Sequence, residues 1–498
     1  MRNMGADDRA RHPRGLTTLV LTELWERFSL YGMAAILVTF LAASPASEGM
    51  GLSAGTAEAV EGVYMAMISL LALPGGWLAD RVLGARRAVL YGGLVIMAGH
   101  TAMAIPGNLG VWPGLVLITV GTGLLKPNIS AMVGRLYAAG DEQRRDAGYS
   151  LFYMGINIGG TLSPLLVGYL GEEVSWHAGF GAAAIGMAIG LIQYAAGGRH
   201  FPDAEDRPCQ PLTAGERRRA LRATLGTLSA VALLFAVCGL CGALDIDAIT
   251  FGLTIVAVIV PAAYLALMLR SPKITAQERA RLKSYVWLFA AATVFWMIYD
   301  QFGSELNLFA AEKTDRHILG WEVPASWMQC LPSFFVILLA PLFAAFWTRR
   351  GRSMPTPLKF GLALILVGAS FFVMAAASSI ASGGVKVAVF WLIGTYLLQV
   401  TGELFLSPVG LSVTTRLAPK AFANQMMGVW FLAAATGDAI GGQLPRIGQS
   451  VLSQSNNFLW QGALALVVGG ALIRYTRKLS AVMDEQTATT QEVTVAAA

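Results

Sequence analysis

The chain has 498 residues, 55% of them hydrophobic and only 13% charged, with a net charge of +6 and a mean hydropathy of +0.58. A soluble chain of ordinary composition carries about 25% charged residues, so a soluble globular domain is excluded. The surplus of positive charge does not point to nucleic acid, because it is sorted by loop rather than gathered in a patch.

A helix needs about 20 apolar residues to cross a bilayer. Such runs fall at 16–43, 55–79, 87–106, 112–138, 146–170, 176–196, 224–243, 248–269, 284–311, 324–348, 357–380, 387–416, 421–447 and 457–476, which predicts fourteen spans. When the loops are numbered alternately, one side holds 30 Lys and Arg, and the other holds only Lys313, Arg316, Lys386 and Arg446. The positive-inside rule then puts both termini in the cytoplasm. The polar start, with Arg2, Asp7, Asp8, Arg9, Arg11 and Arg14, does not read as a cleaved signal peptide. Four Cys make no disulfide framework, and the C-x-x-C of Cys238 and Cys241 reads as packing within a span rather than metal or redox chemistry.

The first span contains Glu23-Leu24-Trp25-Glu26-Arg27-Phe28-Ser29-Leu30-Tyr31-Gly32. An ionised group at the centre of a span costs about 2.5–3.5 kcal/mol, so charges persist there where they face a bundle interior or a wet cavity and find partners. Residues three and four apart share a helix face, which lines up Glu23, Glu26, Arg27 and Tyr31. A snorkelling helix-end cluster needs neither the second carboxylate nor the Tyr.

The second span ends in Gly75-Gly76-Trp77-Leu78-Ala79-Asp80-Arg81, followed by Gly84, Arg86 and Arg87. In the fourth, Gly121-Thr122-Gly123-Leu124-Leu125-Lys126-Pro127-Asn128-Ile129-Ser130 sets a lysine in mid-membrane. Pro127 beside it interrupts the backbone ladder. In the fifth, Phe152-Tyr153-Met154-Gly155-Ile156-Asn157-Ile158-Gly159 offers Asn157, an amide with both donor and acceptor. A charged connector with Pro202, Pro208 and Pro211 follows, and then two apolar spans without a motif. The ninth span reads Phe295-Trp296-Met297-Ile298-Tyr299-Asp300-Gln301. The twelfth reads Thr401-Gly402-Glu403-Leu404-Phe405-Leu406-Ser407-Pro408-Val409-Gly410, with one carboxylate deep in it. The thirteenth carries Trp430.

These strings resemble, in order, the motifs of the proton-dependent oligopeptide transporters of the major facilitator superfamily. They match E-x-x-E-R-F-x-x-Y-G on helix 1, the superfamily's cytoplasmic loop after helix 2, the helix-4 and helix-5 motifs, F-W-x-x-x-E-Q on helix 7 and G-E-L-x-x-S-P-x-G on helix 10. The resemblance implies an all-α membrane protein of two six-helix bundles with the inserted helix pair of bacterial members. The expected division is 1–196 for the first bundle, 197–223 for the connector, 224–269 for the pair, 270–480 for the second bundle and 481–498 for a disordered tail. It implies proton-driven symport of di- and tripeptides into the cytoplasm across the bacterial inner membrane, with a proton gradient and no cofactor. The partners are peptide, proton and lipid, and nucleic acid is not among them.

Charge supports that reading. By pseudo-repeat, Lys126 corresponds to Glu403, and the helix bearing Arg27 to that bearing Asp300. A free dipeptide or tripeptide is a zwitterion with ends about 7–10 Å apart. Its carboxylate is expected at Arg27 and Lys126 and its ammonium at Glu403, with Tyr31, Asn157 and Trp430 completing the binding set. Each ion pair at about 4 Å is worth about 4 kcal/mol before desolvation. Glu23, Glu26 and Asp300 are the expected proton-coupling groups, since a carboxylate displaced from its cation by substrate takes up a proton. The chain departs from the family pattern at Leu30, where a Tyr is usual, and at Ala34, where an Arg is usual. Asp300 replaces a Glu, and no Asn stands near Pro332. Asp300 is therefore expected either to lack its usual partner or to have one that sequence does not reveal. The alternative is a facilitator of non-peptide substrates, such as a drug/proton exporter or an anion importer, or a receptor-like sensor. An intramembrane enzyme is disfavoured, since His12, His100, His177, His200 and His317 are scattered and no H-E-x-x-H occurs.

Overall fold

A computed structural model describes residues 12–483, apart from 139–140, 202, 241, 243–244, 319, 351–353 and 450–451. The Cys238–Cys241 pair, most of the polar start and most of the tail lie outside the described side chains. Lipid supplies no partner for a backbone N–H or C=O, so apolar runs of this length close their hydrogen bonds internally as helices. Every predicted span is helical. The helices are α1 (Arg14–Ala42), α2 (Ala54–Leu78), α3 (Ala85–Ala104), α4 (Val111–Arg135), α5 (Glu142–Ser163), α6 (Trp176–Gly197), α7 (Ala214–Leu240), α8 (Ile246–Arg270), α9 (Ala276–Tyr299), α10 (Glu305–Lys313), α11 (Cys330–Arg350), α12 (Thr356–Ala381), α13 (Phe390–Arg416), α14 (Ala423–Gln449) and α15 (Gln454–Arg474). The ninth predicted span is broken. α9 stops at Tyr299, a short turn covers Asp300–Phe302, and the helix restarts at Glu305. Irregular backbone at membrane depth is tolerated where it lines a cavity, and this turn does so.

The chain forms two compact units. The first comprises residues up to Leu52 and Leu70–Gly252. Here α1 packs on α5 and α6, and α3 on α4 and α6. The connector is tied down within this unit. Gln210 and Leu212 donate backbone N–H groups to the carbonyls of Asp80 and Arg81, while Arg86 pairs with Asp206 at 2.8 Å and Arg135 with Glu205 at 2.8 Å. Arg86 of the loop after helix 2 therefore meets a connector acid, Asp206. Arg81 also reaches Glu216 at 2.8 Å. The Glu216 carboxyl is held below its ordinary value, chiefly by the Thr213 backbone N–H, then by the Thr213 hydroxyl and by Arg81.

The second unit comprises Ser53–Ser69 and the chain from Leu253 onward, so the first turns of α2 pack with the later helices. In it α12 packs on α13 and α15, and α9 on α14. α9 begins in a capping box, with Glu278 N–H donating to Thr275 Oγ1 at 3.2 Å and Thr275 N–H to Glu278 Oε2 at 2.8 Å. The second helix of the inserted pair docks on α14, where Thr436 Oγ1 donates to the Ala257 carbonyl at 3.0 Å. Two-residue strands pair in the loops, Thr314–Asp315 with Val387–Ala388 and His317–Ile318 with Trp321–Glu322.

Candidate functional site

In the first unit the charged stripe of α1 is buried, with Glu23 2%, Glu26 0% and Arg27 4% exposed. Arg27 Nε lies 2.8 Å from Glu23 Oε1 and 2.9 Å from Glu26 Oε2. Its guanidinium stands 6.0 Å from the Tyr31 ring centre. Lys126, half-buried on α4, adds a second cation whose charge reaches Glu26. Two acids and two bases thus balance one another, three of them buried, and pairing of this kind is the condition under which buried charges persist. The balance leaves capacity over, because Arg27 Nη2 and Glu23 Oε2 have no hydrogen-bond partner among the described residues.

The helix-5 motif works through its glycine. A Cβ at Gly159 would collide with the Leu24 carbonyl and stand 3.2 Å from Arg27 Cβ, so glycine lets α5 lie directly on α1 beside the arginine. Asn157, two residues before it, is buried, and its Nδ2 donates to the Tyr153 carbonyl at 2.9 Å. In α4, Pro127 withholds the donor that the Gly123 carbonyl would otherwise receive. Asn128 Nδ2 bonds the next carbonyl, Leu124, at 2.7 Å.

The second unit carries acids. Glu403 of α13 accepts a 2.6 Å hydrogen bond from the Tyr299 hydroxyl. Tyr299 is itself fixed by stacking on Phe295 and by an edge contact with Trp296. The next residue, Asp300, opens the turn between α9 and α10 and lines a small cavity with Glu61, Gln301, Ser304 and Asp438. Trp430 is 4% exposed and packs on Gly410 and, edge-on, on Phe360.

Four buried acids thus join the expected ones: Glu58 and Glu61 on α2, Glu305 on α10 and Asp438 on α14. The signal was available, since a carboxylate inside a span marks function by default. Tyr299 carried no such signal, because a tyrosine within an aromatic run reads as packing.

The sequence profile of the POT family matches residues 86–460. A transporter of Bacillus subtilis, YclF, described as uncharacterized, is 42% identical over 93% of this chain and 93% of its own. A di-/tripeptide transporter of Lactococcus lactis subsp. cremoris is 39% identical over 95% of this chain and 97% of its own. The crystal structure of a peptide transporter POT in complex with sulfate is 41% identical, covers 96% of this chain and 97% of that one, and superposes with a TM-score of 0.91. With helices at every predicted span and this breadth of match, the chain is an integral membrane protein that belongs to the POT family.

Proposed function

We propose that this protein imports di- and tripeptides into the cytoplasm by proton-coupled symport with alternating access. The observation that carries the reading is the sorting of buried charge. Arg27, with an unpartnered Nη2, and Lys126 belong to the first unit, while Glu403, held by Tyr299, belongs to the second. A substrate with one carboxylate and one ammonium answers both, and a simple anion or cation answers only one. In this reading the peptide carboxylate engages Arg27 and Lys126, and its ammonium engages Glu403. Tyr31, Asn157 and Trp430 bound the space for side chains.

Coupling follows from competition. A peptide carboxylate arriving at Arg27 displaces Glu23 or Glu26, and an acid stripped of its cation in a dry site takes up a proton. The alternation of basic loops orients both termini to the cytoplasm, in the inner membrane of a bacterium. The two six-helix halves, 1–196 and 270–480, flank the connector and the inserted pair. The test is uptake of dialanine into proteoliposomes with and without an inward proton gradient. The gradient is expected to raise uptake, and indifference to it rejects symport.

A further inference from the structure

The inserted pair carries no transporter motif, yet its second helix, α8, is tied to α14 by side-chain hydrogen bonds. Thr254 Oγ1 donates to the Ala439 carbonyl at 3.3 Å and accepts from Gln443 Nε2 at 3.2 Å. In return, Thr436 Oγ1 shares its hydrogen between the Leu432 carbonyl of its own helix at 2.8 Å and the Ala257 carbonyl of α8 at 3.0 Å. Farther along, the Tyr264 hydroxyl donates to Gln425 Oε1. All of these residues belong to the second unit. Each helix presents the same string, a threonine with an alanine three residues on: Thr254-Ile255-Val256-Ala257 on α8 and Thr436-Gly437-Asp438-Ala439 on α14. The threonine of one meets the alanine carbonyl of the other, so the two helices run antiparallel. Ala257, Ala435 and Ala439 pack together at this seam with Ala66 of α2. Side chains this small let a hydroxyl reach the backbone of the neighbouring helix. From Gln425 to Gln443 the contact follows α14 for about 27 Å at 1.5 Å per residue, nearly the thickness of the hydrocarbon layer.

The other faces of α14 are built differently. Gly437 and Gly441 lie against Met297 of α9, where a Cβ would stand 2.7 Å from the Met297 nitrogen and 2.6 Å from its carbonyl oxygen. Gly442 lies against α2, where a Cβ would stand 2.8 Å from the Glu58 carbonyl and 2.9 Å from the Gly62 Cα. Turning α14 by one residue, about 100°, would bring a side chain into these seats. They therefore demand one rotational setting of the helix, but a glycine has no side chain with which to hold it. Thr436 and Gln443, toward α8, do. A threonine in a span can satisfy its hydroxyl on its own helix, as Thr119 does at the Leu115 carbonyl. The further bonds across the seam are what tie α8 to α14. Two residues of interest ride on α14, Asp438 at the cavity that Asp300 also lines, and Trp430 against Gly410 and Phe360.

We propose that α8 is a brace that fixes the rotation of α14, with Thr254 and Thr436 as positioning residues for Trp430 and Asp438. Neither threonine touches substrate; each acts through the backbone of α14. The inserted pair is thus a working part of the second unit, and its effect on transport rests on the peptide-uptake reading above.

The test compares the double variant Thr254→Val with Thr436→Val against Thr254→Ser with Thr436→Ser, in purified full-length protein in proteoliposomes. Valine is near-isosteric and lacks the hydroxyl, whereas serine keeps it. The valine variant is expected to exchange backbone hydrogen for deuterium faster along α14. It is also expected to raise the KM for dialanine counterflow roughly fivefold to tenfold, from about twice the average worth of one hydrogen bond between membrane helices. The serine variant is expected to follow wild type in both measurements. Should the double valine variant misfold, Thr254→Val alone, which leaves the Thr436 bond in place, carries the same comparison. If wild type exchanges no dialanine, the peptide-uptake reading fails, and deuterium exchange alone decides the brace. Unchanged exchange along α14 in the valine variant overturns the proposal. So does faster exchange with an unchanged KM, because the seam then serves stability and positions nothing. A serine variant that behaves like the valine variant overturns it as well, since the hydroxyls are then not what holds α14.

Discussion

The Tyr299 hydroxyl donates to Glu403 over 2.6 Å. This bond joins the two acidic motifs of the second unit, on α9 and α13, and holds the Glu403 carboxylate in one orientation. A hydrogen bond to a charged group contributes about 1.5–3 kcal/mol. Tyr299→Phe is therefore expected to raise the KM for dialanine about tenfold or more while leaving the protein folded. Uptake at varied peptide concentration measures it, and an unchanged KM removes Tyr299 from the site.

The buried charges of the first unit separate binding from coupling. Lys126→Ala and Glu403→Gln are expected to abolish driven uptake. Counterflow needs binding and reorientation but no gradient, and it is expected to survive in Glu23→Ala and Glu26→Ala. If either acid variant also loses counterflow, that carboxylate binds substrate instead of coupling it to the proton.

Gly159 lies against the Leu24 carbonyl and Arg27 Cβ. Overpacking a tight contact costs about 1–3 kcal/mol. Gly159→Ala is expected to lower the melting temperature and to disturb Arg27, reducing uptake as well. A variant that melts like wild type with normal uptake shows that α5 is not seated on α1 in this way.

Acidification loosens the connector in a defined direction. The carboxyl of Glu216 is depressed by Thr213 and Arg81, so its contribution is present above the ordinary glutamate value and is lost as pH falls through the lowered one. The Thr213 amide, which donates to Glu216 Oε2 at 2.9 Å, is expected to be protected from hydrogen exchange near neutrality. That protection disappears at strongly acid pH, after correction for intrinsic rates. Glu216→Ala removes it at every pH, and protection that persists in this variant assigns the bond elsewhere.

The fourteen predicted runs are helical over the described residues, eleven of the helices being long and apolar enough to cross a membrane, because lipid makes apolar length almost sufficient evidence of a helix. The stripe of Glu23, Glu26 and Arg27 was legible for a related reason, since spacing alone places it on one face of α1. The turn at Asp300 was not. The run 284–311 is apolar enough to read as one helix, and the break lines a cavity completed by two other segments, α2 and α14. Glu58 and Glu61 carried the local signal of carboxylates inside a span, but the acids they act on, Glu305 and Asp300, lie more than 230 residues away in sequence, where no local pattern reaches. Trp430 shows the converse limit. Its place in the thirteenth span suggested a wall for substrate, and only the packing on Gly410 and Phe360 reveals how much of the ring serves the core.

Several helix pairs meet backbone to backbone. In the second unit a Cβ on Gly368 would stand 2.9 Å from the Gly462 carbonyl, and one on Gly462 the same distance from that of Gly368. Here the backbones touch, with Leu466 and Phe372 packed beside the glycines, and small residues are what allow such close approach between helices in a membrane. One added methyl then has nowhere to go, and a saturation-mutagenesis map of this chain is expected to show its deepest troughs at such silent, uncharged positions.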